Sequence, residues 1–407
     1  MPANAPFMRT VVDNLEASRI REVANEGLGR DNVLKFWFGE SDEVTPDFIR
    51  EAAMASLQSG ETFYAHNLGL PELREAIATY TDGLHPGRGA AHWMDRLAVT
   101  SGGVNGLMLA SQALVEAGDE VVVVTPAWPN LVAQPQIMGA NVKSVPLQVL
   151  TEGPRAGAWA LDMNTLLSAI TPATRMLIVN APNNPTGWTL SRDEQATILA
   201  HCRRTGTWIL ADEVYERLYY AGDTANGAAP SFLDVAEPDD RVIVAHSFSK
   251  SFLMTGWRLG WLVLPAALTA AMGKLIEFNT SCAPVFVQRG ATVALQRGAE
   301  VTPALVAHLK TCRDTLVPLL RAVPGVTVAE PLGGMYAFFT LQGHDDCLDV
   351  AKRLVREAGI GLAPGSAFSP EAAGWLRWCF ASRDTHRLEE GVERLRRWIA
   401  TQPGGGT

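Results

Sequence analysis

A chain of 407 residues is too long for one small core and long enough for two domains. Hydrophobic residues make up 47% of it and charged residues only 19%, so a sizeable interior is available and extensive internal or subunit burial is expected. The formal net charge of -9, with no basic block, argues against a nucleic-acid partner, which needs a positive field.

The N-terminal stretch MPANAPFMRTVVDNLEASR holds no apolar core of signal-peptide length. No uncharged apolar run approaches the ~20 residues needed to cross a bilayer, so no membrane partner is expected. The cysteines Cys202, Cys282, Cys312, Cys347 and Cys379 are scattered, without CxxC or metal-ligand spacing. No metal site is expected from them; they read as reduced thiols of a cytoplasmic protein.

Along the chain, the first 45 residues read as helical. Apolar, β-branched runs then predict buried strands at 96–100, 120–125, 142–145, 175–180, 207–211, 241–246 and 259–264. Helical patterns lie between several of them, at 103–117, 192–204 and 266–278. The strands lack polar alternation, as expected when both faces are covered. The C-terminal third reads as α+β: helices at 301–321, 346–358 and 384–399, with strands at 326–329, 334–340 and 375–380. The fold predicted is α/β: a large domain, 46–296, with a mostly parallel seven-stranded sheet between helices. A smaller α+β domain is formed by 1–45 with 297–407, and the tail QPGGGT is expected to be disordered.

In open α/β sheets ligands bind beyond the carboxyl ends of the strands, and the residues standing there form a series. After 96–100 comes Ser101-Gly102-Gly103-Val104, where glycines let backbone N–H groups approach an anion at a helix N-terminus; alone, the pair is also ordinary turn chemistry. After 120–125 comes PAWPN, whose Trp128 can stack on a flat ring or serve as a core tryptophan. After 175–180 comes APNNPTGW; the Asn184 amide can donate to a phenolate oxygen, or the string is only a turn. After 207–211 come Asp212 and, three residues on, Tyr215. A carboxylate ending an apolar strand is costly unless paired. A protonated pyridine nitrogen is one suitable partner for it, and a helix cap is the alternative. After 241–246 comes Ser247-Phe248-Ser249-Lys250, with Arg258 eight residues beyond the lysine. The chain has only six lysines, so one in this apolar setting is not surface filler. Beside Arg258 its pKa should fall, favouring a free amine. An anion nest, a ring platform, an amide donor, an acid and an amine, met in turn at five strand ends, point to pyridoxal 5'-phosphate.

PAWPN, NNPTG, DEVY and SFSK followed by GWRLGW together resemble the class I/II PLP-dependent aminotransferases of fold type I, the aspartate-aminotransferase-like group. The resemblance runs from FGESDEVTP to LRWCFA, nearly the whole chain. It implies that Lys250 holds the cofactor as an aldimine and shuttles the proton, that Asp212 holds the ring nitrogen, and that Tyr215 and Asn184 bond the ring oxygen. It also implies that Trp128 stacks on the ring, and that Gly102, Gly103, Val104, Ser247, Ser249 and Arg258 surround the phosphate. Tyr64, in TFYAHNLGLPELREAI, looks like the tyrosine that reaches the phosphate of a neighbouring subunit, so a homodimer with shared active sites is implied. Arg377 and Gly39 look like the residues that meet the substrate α-carboxylate; read alone, an arginine in an apolar strand such as Arg377 is usually a salt-bridged framework residue.

The activity so implied is a ping-pong transfer of an amino group from an L-amino acid to a 2-oxo acid. For the donor, a neutral or aromatic side chain is expected, because Val104 appears where one acidic-substrate subgroup carries a lysine. Trp37, Phe38 and Trp188 are candidates for an apolar pocket, and Arg19 for a cation in it. The alternative is a β-lyase of the same fold, of the cysteine-S-conjugate type. A cofactor-sensing regulator would need a basic DNA-binding domain, which no pattern ahead of FGESD provides.

Overall fold

The computed structural model describes residues 8–152, 157–222 and 227–402. The tail expected to be disordered therefore lies, beyond Gln402, outside the described residues.

The seven predicted strands all form, shifted at their ends by at most one residue. They are β1 (Leu97–Thr100), β2 (Glu120–Thr125), β3 (Asn141–Pro146), β4 (Thr174–Asn180), β5 (Trp208–Asp212), β6 (Val242–Ser247) and β7 (Gly260–Val263). They make one sheet in the order β1-β7-β6-β5-β4-β2-β3. Only β7 runs against its neighbours.

Alternate residues of each central strand enter different cores. Val122, Val124, Leu177 and Val179 pack on one face with the helices Pro71–Leu84, Arg192–Thr205 and Val285–Gln296. Val121, Val123, Met176 and Ile178 pack on the other with Gly103–Leu114 and Ala266–Asn279. Burial on both faces is why β-branched residues fill these strands without polar alternation. Because the strands are parallel, Thr100, Thr125, Asn180, Asp212 and Ser247 all end along one edge of the sheet, with Asn180 beside Asp212 and Asp212 beside Ala245.

The C-terminal part has its own core. Strands β8 (Val326–Val328), β9 (Tyr336–Leu341), β10 (Ala363–Pro364) and β11 (Trp375–Cys379) form an antiparallel sheet in the order β8-β9-β11-β10. The helices Thr302–Arg321 and His386–Ala400 cover it through Leu309, Leu316, Leu388 and Leu395.

The N-terminal segment differs from expectation. Among the described residues before 45, only Thr10–Asp13 and Arg19–Glu26 are helical. Gly27 follows the second helix, and a Cβ there would strike the Trp37 ring. The chain then turns and runs extended, with Leu34–Lys35 pairing in parallel with Ile360–Gly361. Ile20, Val23, Phe36 and Trp37 join the C-terminal core. The first short helix instead leans towards the large sheet, where Arg9 donates to the Ile137 carbonyl at 2.8 Å. Among the described residues no helix is long and apolar enough to cross a membrane.

Candidate active site

A cavity of about 540 Å³ opens over the carboxyl ends of β4, β5 and β6. Its walls bring together Gly39, Gly103, Val104, Trp128, Asn184, Asp212, Tyr215, Ser247, Ser249, Lys250, Arg258 and Arg377. Two residues expected at the site are not on its walls. Gly102 stands just behind, at φ +98°, where a Cβ would lie 2.6 Å from Arg258 Nη2. Tyr64 is 90% exposed on the outer surface and adds nothing to this chain's own cavity.

The strand ends are tied to each other before they serve the cavity. Asn180, closing β4, donates from Nδ2 to the Asp212 carbonyl at 2.9 Å and accepts the Asn184 N–H at 2.7 Å. Asn183 spends its side chain on the turn: it donates to the Pro126 carbonyl and accepts from the Thr186 N–H and hydroxyl. That bonding divides the labour in the NNPTG string. Asn183 holds the loop, and Asn184 faces the cavity, where its Oδ1 accepts from Arg377 Nη1 at 2.9 Å.

Asp212 closes β5 and is 3% exposed. No helix follows it, so the cap reading fails; among the described residues its Oδ1 takes only the Val214 N–H, at 3.4 Å. Among the described residues it forms no ion pair, and burial pushes its carboxyl up to about 7, against the pull of Val214 N–H, Lys250 and His246. Tyr215, in the turn that follows, bonds hydroxyl to hydroxyl with Tyr336 at 2.6 Å, and burial raises its pKa.

β6 ends in Ser247, whose Oγ accepts the Ser249 N–H at 3.1 Å and starts a single helical turn. That turn aims Lys250 into the cavity, where Nζ donates to the Gly39 carbonyl at 2.5 Å and lies 5.5 Å from the Tyr215 ring centroid. Burial lowers its pKa to about 8; Arg377 and Arg258 push the same way, and Cys379 and Glu40 oppose. Arg258 sits in the left-handed region at φ 54°, a conformation a non-glycine residue holds at a cost of about 1–3 kcal/mol. Its Nη1 is anchored to the Thr255 carbonyl at 2.8 Å.

Arg377 projects from β11 and is 2% exposed. It donates to Asn184 and to the Trp37 carbonyl, its Cζ lies 4.4 Å from the Tyr336 ring and 4.9 Å from Phe368, and its Nε is buried without a partner. Gly39 is forced to be glycine by contact: a Cβ there would collide with the Tyr336 hydroxyl.

Residues 32–395 match the family described as aminotransferase class I and II. The chain belongs to that family. Its likenesses include an aspartate aminotransferase of Pyrococcus horikoshii, 31% identical with 94% of each chain covered. A probable aspartate/prephenate aminotransferase of Aquifex aeolicus is also 31% identical, with 93% of each chain covered. Among solved structures, an aspartate aminotransferase of Thermotoga maritima superposes with a TM-score of 0.86 at 30% identity, over 97% of this chain and all of the other. The protein is thus a PLP-dependent aminotransferase of fold type I, acting on small molecules.

Three of the substrate-pocket expectations need correction in this aminotransferase. Arg19 does not reach the cavity; it pairs with Glu16 at 3.1 Å. Arg21, two positions on, lines the wall instead. The Trp37 ring packs against Gly27 and Gly361 as framework, and only its carbonyl serves the site, through Arg377. Trp188 is buried in the large-domain core, away from the walls. Phe38 does line the cavity. Sequence reading missed Tyr336 and Phe368, because strand β9 and the loop before β11 read as plain core there.

Proposed function

We propose that the cavity holds pyridoxal phosphate and that the enzyme moves an amino group from a neutral or aromatic L-amino acid to a 2-oxo acid in a ping-pong cycle. The observation that carries the reading is Asp212, a buried carboxyl that forms no ion pair among the described residues and shares one cavity with the buried Lys250 amine. A ring bearing N–H⁺ supplies what that carboxyl lacks, as an ion pair in a dry site. The glycine turn supports the same fit: with no Cβ at Gly102, backbone N–H groups and the Arg258 guanidinium can share one phosphate.

In this reading the Gly102, Gly103 and Val104 backbone, Ser247, Ser249 and Arg258 hold the phosphate. Trp128 covers the ring face, Tyr215 and Asn184 donate to the ring oxygen, and Asp212 keeps the ring nitrogen protonated. When bound, the cofactor supplies an electron sink for the bond broken at the substrate Cα. Arg377 orients the substrate through its α-carboxylate, with Gly39 leaving room beside it. Lys250 Nζ, neutral for a large fraction of molecules near pH 8, takes the proton from Cα and returns it.

The walls support the donor preference: Ile20, Phe38, Val104, Leu107 and Trp128 are apolar or aromatic. The names of the relatives speak for a dicarboxylic partner in the cycle, and the acceptor is the place for it.

A second copy completes the site. Phe63, Tyr64 and Phe278 are 84%, 90% and 90% exposed, and Val44, Met54 and Leu57 also stand open. Large apolar side chains left out in this number suit a subunit interface, and Tyr64 would reach the partner's phosphate from there. Free cysteines throughout the described residues suit a cytoplasmic setting.

The test is a donor screen with Lys250→Ala as control. Loss of the cofactor's visible absorbance should be faster with phenylalanine or leucine than with aspartate, and Lys250→Ala should keep its fold and lose at least about 10³-fold in turnover. Preference for aspartate refutes the donor assignment. Release of pyruvate and ammonia from cystathionine, without pyridoxamine phosphate, would replace transfer by β-elimination.

A further inference from the structure

Successive residues of a strand point to opposite faces, so β6 sends Ser247 to the cavity and His246 away from it. The His246 ring stacks on Trp261, in the core of the other face, with centroids 4.9 Å apart and planes 14° apart. His246 is 2% exposed, and among the described residues neither of its ring nitrogens makes a hydrogen bond. Glu213 and Glu216, from the turn after β5, are buried beside it. One carboxylate oxygen from each and one His246 nitrogen all lie within 4.8 Å of one another, and none of the three residues is on the cavity wall.

The two carboxylates are oriented from outside this trio. The Ser231 hydroxyl and the Phe232 N–H donate to Glu213, the latter at 2.9 Å, and the Tyr80 hydroxyl donates to Glu216 Oε1 at 3.2 Å. Glu216 Oε2 is left without a hydrogen bond, 3.3 Å from His246 Nδ1. Two ligands each ~2.1 Å from one cation stand about 3.0–3.4 Å apart, so this pair already has the spacing. Donors that fix a carboxylate from behind are the usual outer layer of a metal site.

His85 adds a further buried nitrogen. Its Nδ1 meets Asp234 Oδ1 at 2.7 Å, and its Nε2 has no partner among the described residues. A carboxylate on one ring nitrogen, with the other left bare, is how ligand histidines are commonly held. His85 also stands near enough to act electrostatically on both Glu213 and Glu216. Among the described residues no lysine or arginine forms an ion pair with either glutamate. Two carboxylates so placed are costly without a cation. Mg²⁺ and Ca²⁺ ask for about six or more oxygens, many from water. Imidazole with carboxylates in a closed space suits a transition ion instead.

We propose that Glu213, Glu216 and His246 form a structural site for a divalent transition-metal cation of the Zn²⁺ type, with His85 the nearest further nitrogen for it. Glu213 directly follows Asp212, and Glu216 directly follows Tyr215. The cation therefore braces, from behind the sheet, the turn that carries both residues, and ties it to β6. The site is separate from the cavity and does not depend on how the cavity is read.

The test uses holoenzyme refolded from urea with pyridoxal phosphate and Zn²⁺, because a closed site fills best as the chain folds. After dialysis against metal-free buffer, mass spectrometry should find about one Zn²⁺ per chain, and less than about a tenth of that in Glu216→Gln or His246→Gln. Zinc-edge X-ray absorption should show oxygen and nitrogen neighbours and no sulfur. Removing the metal with 1,10-phenanthroline should lower the Tm of the unaltered holoenzyme by at least about 3 °C, and added Zn²⁺ should restore it. No retained metal overturns the proposal, as does retention that both variants share or a sulfur neighbour, either of which places the ion elsewhere. If the variants do not fold, the absorption spectrum and the chelator response of the unaltered protein decide, and a Tm indifferent to chelator and Zn²⁺ overturns it as well.

Discussion

Lys250 feels burial first and the Arg377 and Arg258 charges after it, and together they bring its pKa to about 8. The sign follows: a cation disfavoured by its surroundings gives up its proton earlier. At pH 6 about one amine in a hundred is neutral, and half are at pH 8. Capture of pyridoxal phosphate by apoenzyme should therefore quicken about tenfold per pH unit from 6 and level off above about 8. Stopped-flow absorbance measures it, and a flat rate from pH 6 to 9 contradicts it. Not every such residue announces itself in sequence. Asp212 and Lys250 do, because charge at the end of an apolar strand needs a reason. Tyr336 does not: inside the run GGMYAFFT it is one more aromatic, and its place under Arg377 arises from register, Phe338 opposite Arg377. Arg19 and Arg21 differ by two positions, about 200° around a helix, and only the element packed over the helix decides which one faces the cavity.

The elements that carry the site are strand ends followed by turns, and these were the most readable part of the chain. Seven apolar runs gave seven strands; for the central ones burial on both faces leaves little other composition open, whereas the edge strand β3, read as buried, leaves Asn141, Lys143 and Ser144 exposed. The N-terminal segment was not readable in this way. Its apolar residues Phe36 and Trp37 serve an extended stretch whose backbone partners, Ile360–Gly361 and Cys379, lie far off in sequence. At the turn from β1 into the helix Gly103–Leu114, the requirement is sharper than propensity. Gly102 combines φ +98° with a 2.6 Å approach of Arg258 to any added Cβ. Gly102→Ala should cost about 1–3 kcal/mol in backbone strain and displace Arg258. Equilibrium dialysis of the cofactor should then show at least tenfold weaker binding (about 1.4 kcal/mol), while the far-ultraviolet circular dichroism stays unchanged. Unaltered cofactor affinity would mean that the guanidinium plays no part in the cradle.

On the scale of the molecule, the exposed Phe63, Tyr64 and Phe278 set a test of assembly. A dimer should be found by sedimentation at micromolar concentration. Phe63→Asp with Phe278→Asp should shift it to monomer and weaken cofactor retention, because Tyr64 would no longer meet a partner's phosphate. A stable dimer in the double variant, or a monomer with full retention, would place the interface elsewhere.

Arg377 also has a donor count. A guanidinium offers five N–H bonds, and the protein itself occupies two, one with Asn184 and one with the Trp37 carbonyl. Asn184 belongs to the large sheet, Trp37 to the N-terminal segment and Arg377 to β11, so the two bonds stitch three separate pieces of chain together before any substrate arrives. Among the described residues the remaining donors, the buried Nε–H among them, take no protein partner. An arriving carboxylate can bind both oxygens to vacant donors and sever neither stitch. A lysine, with three donors in all, would have to choose between joining the protein together and gripping what it works on.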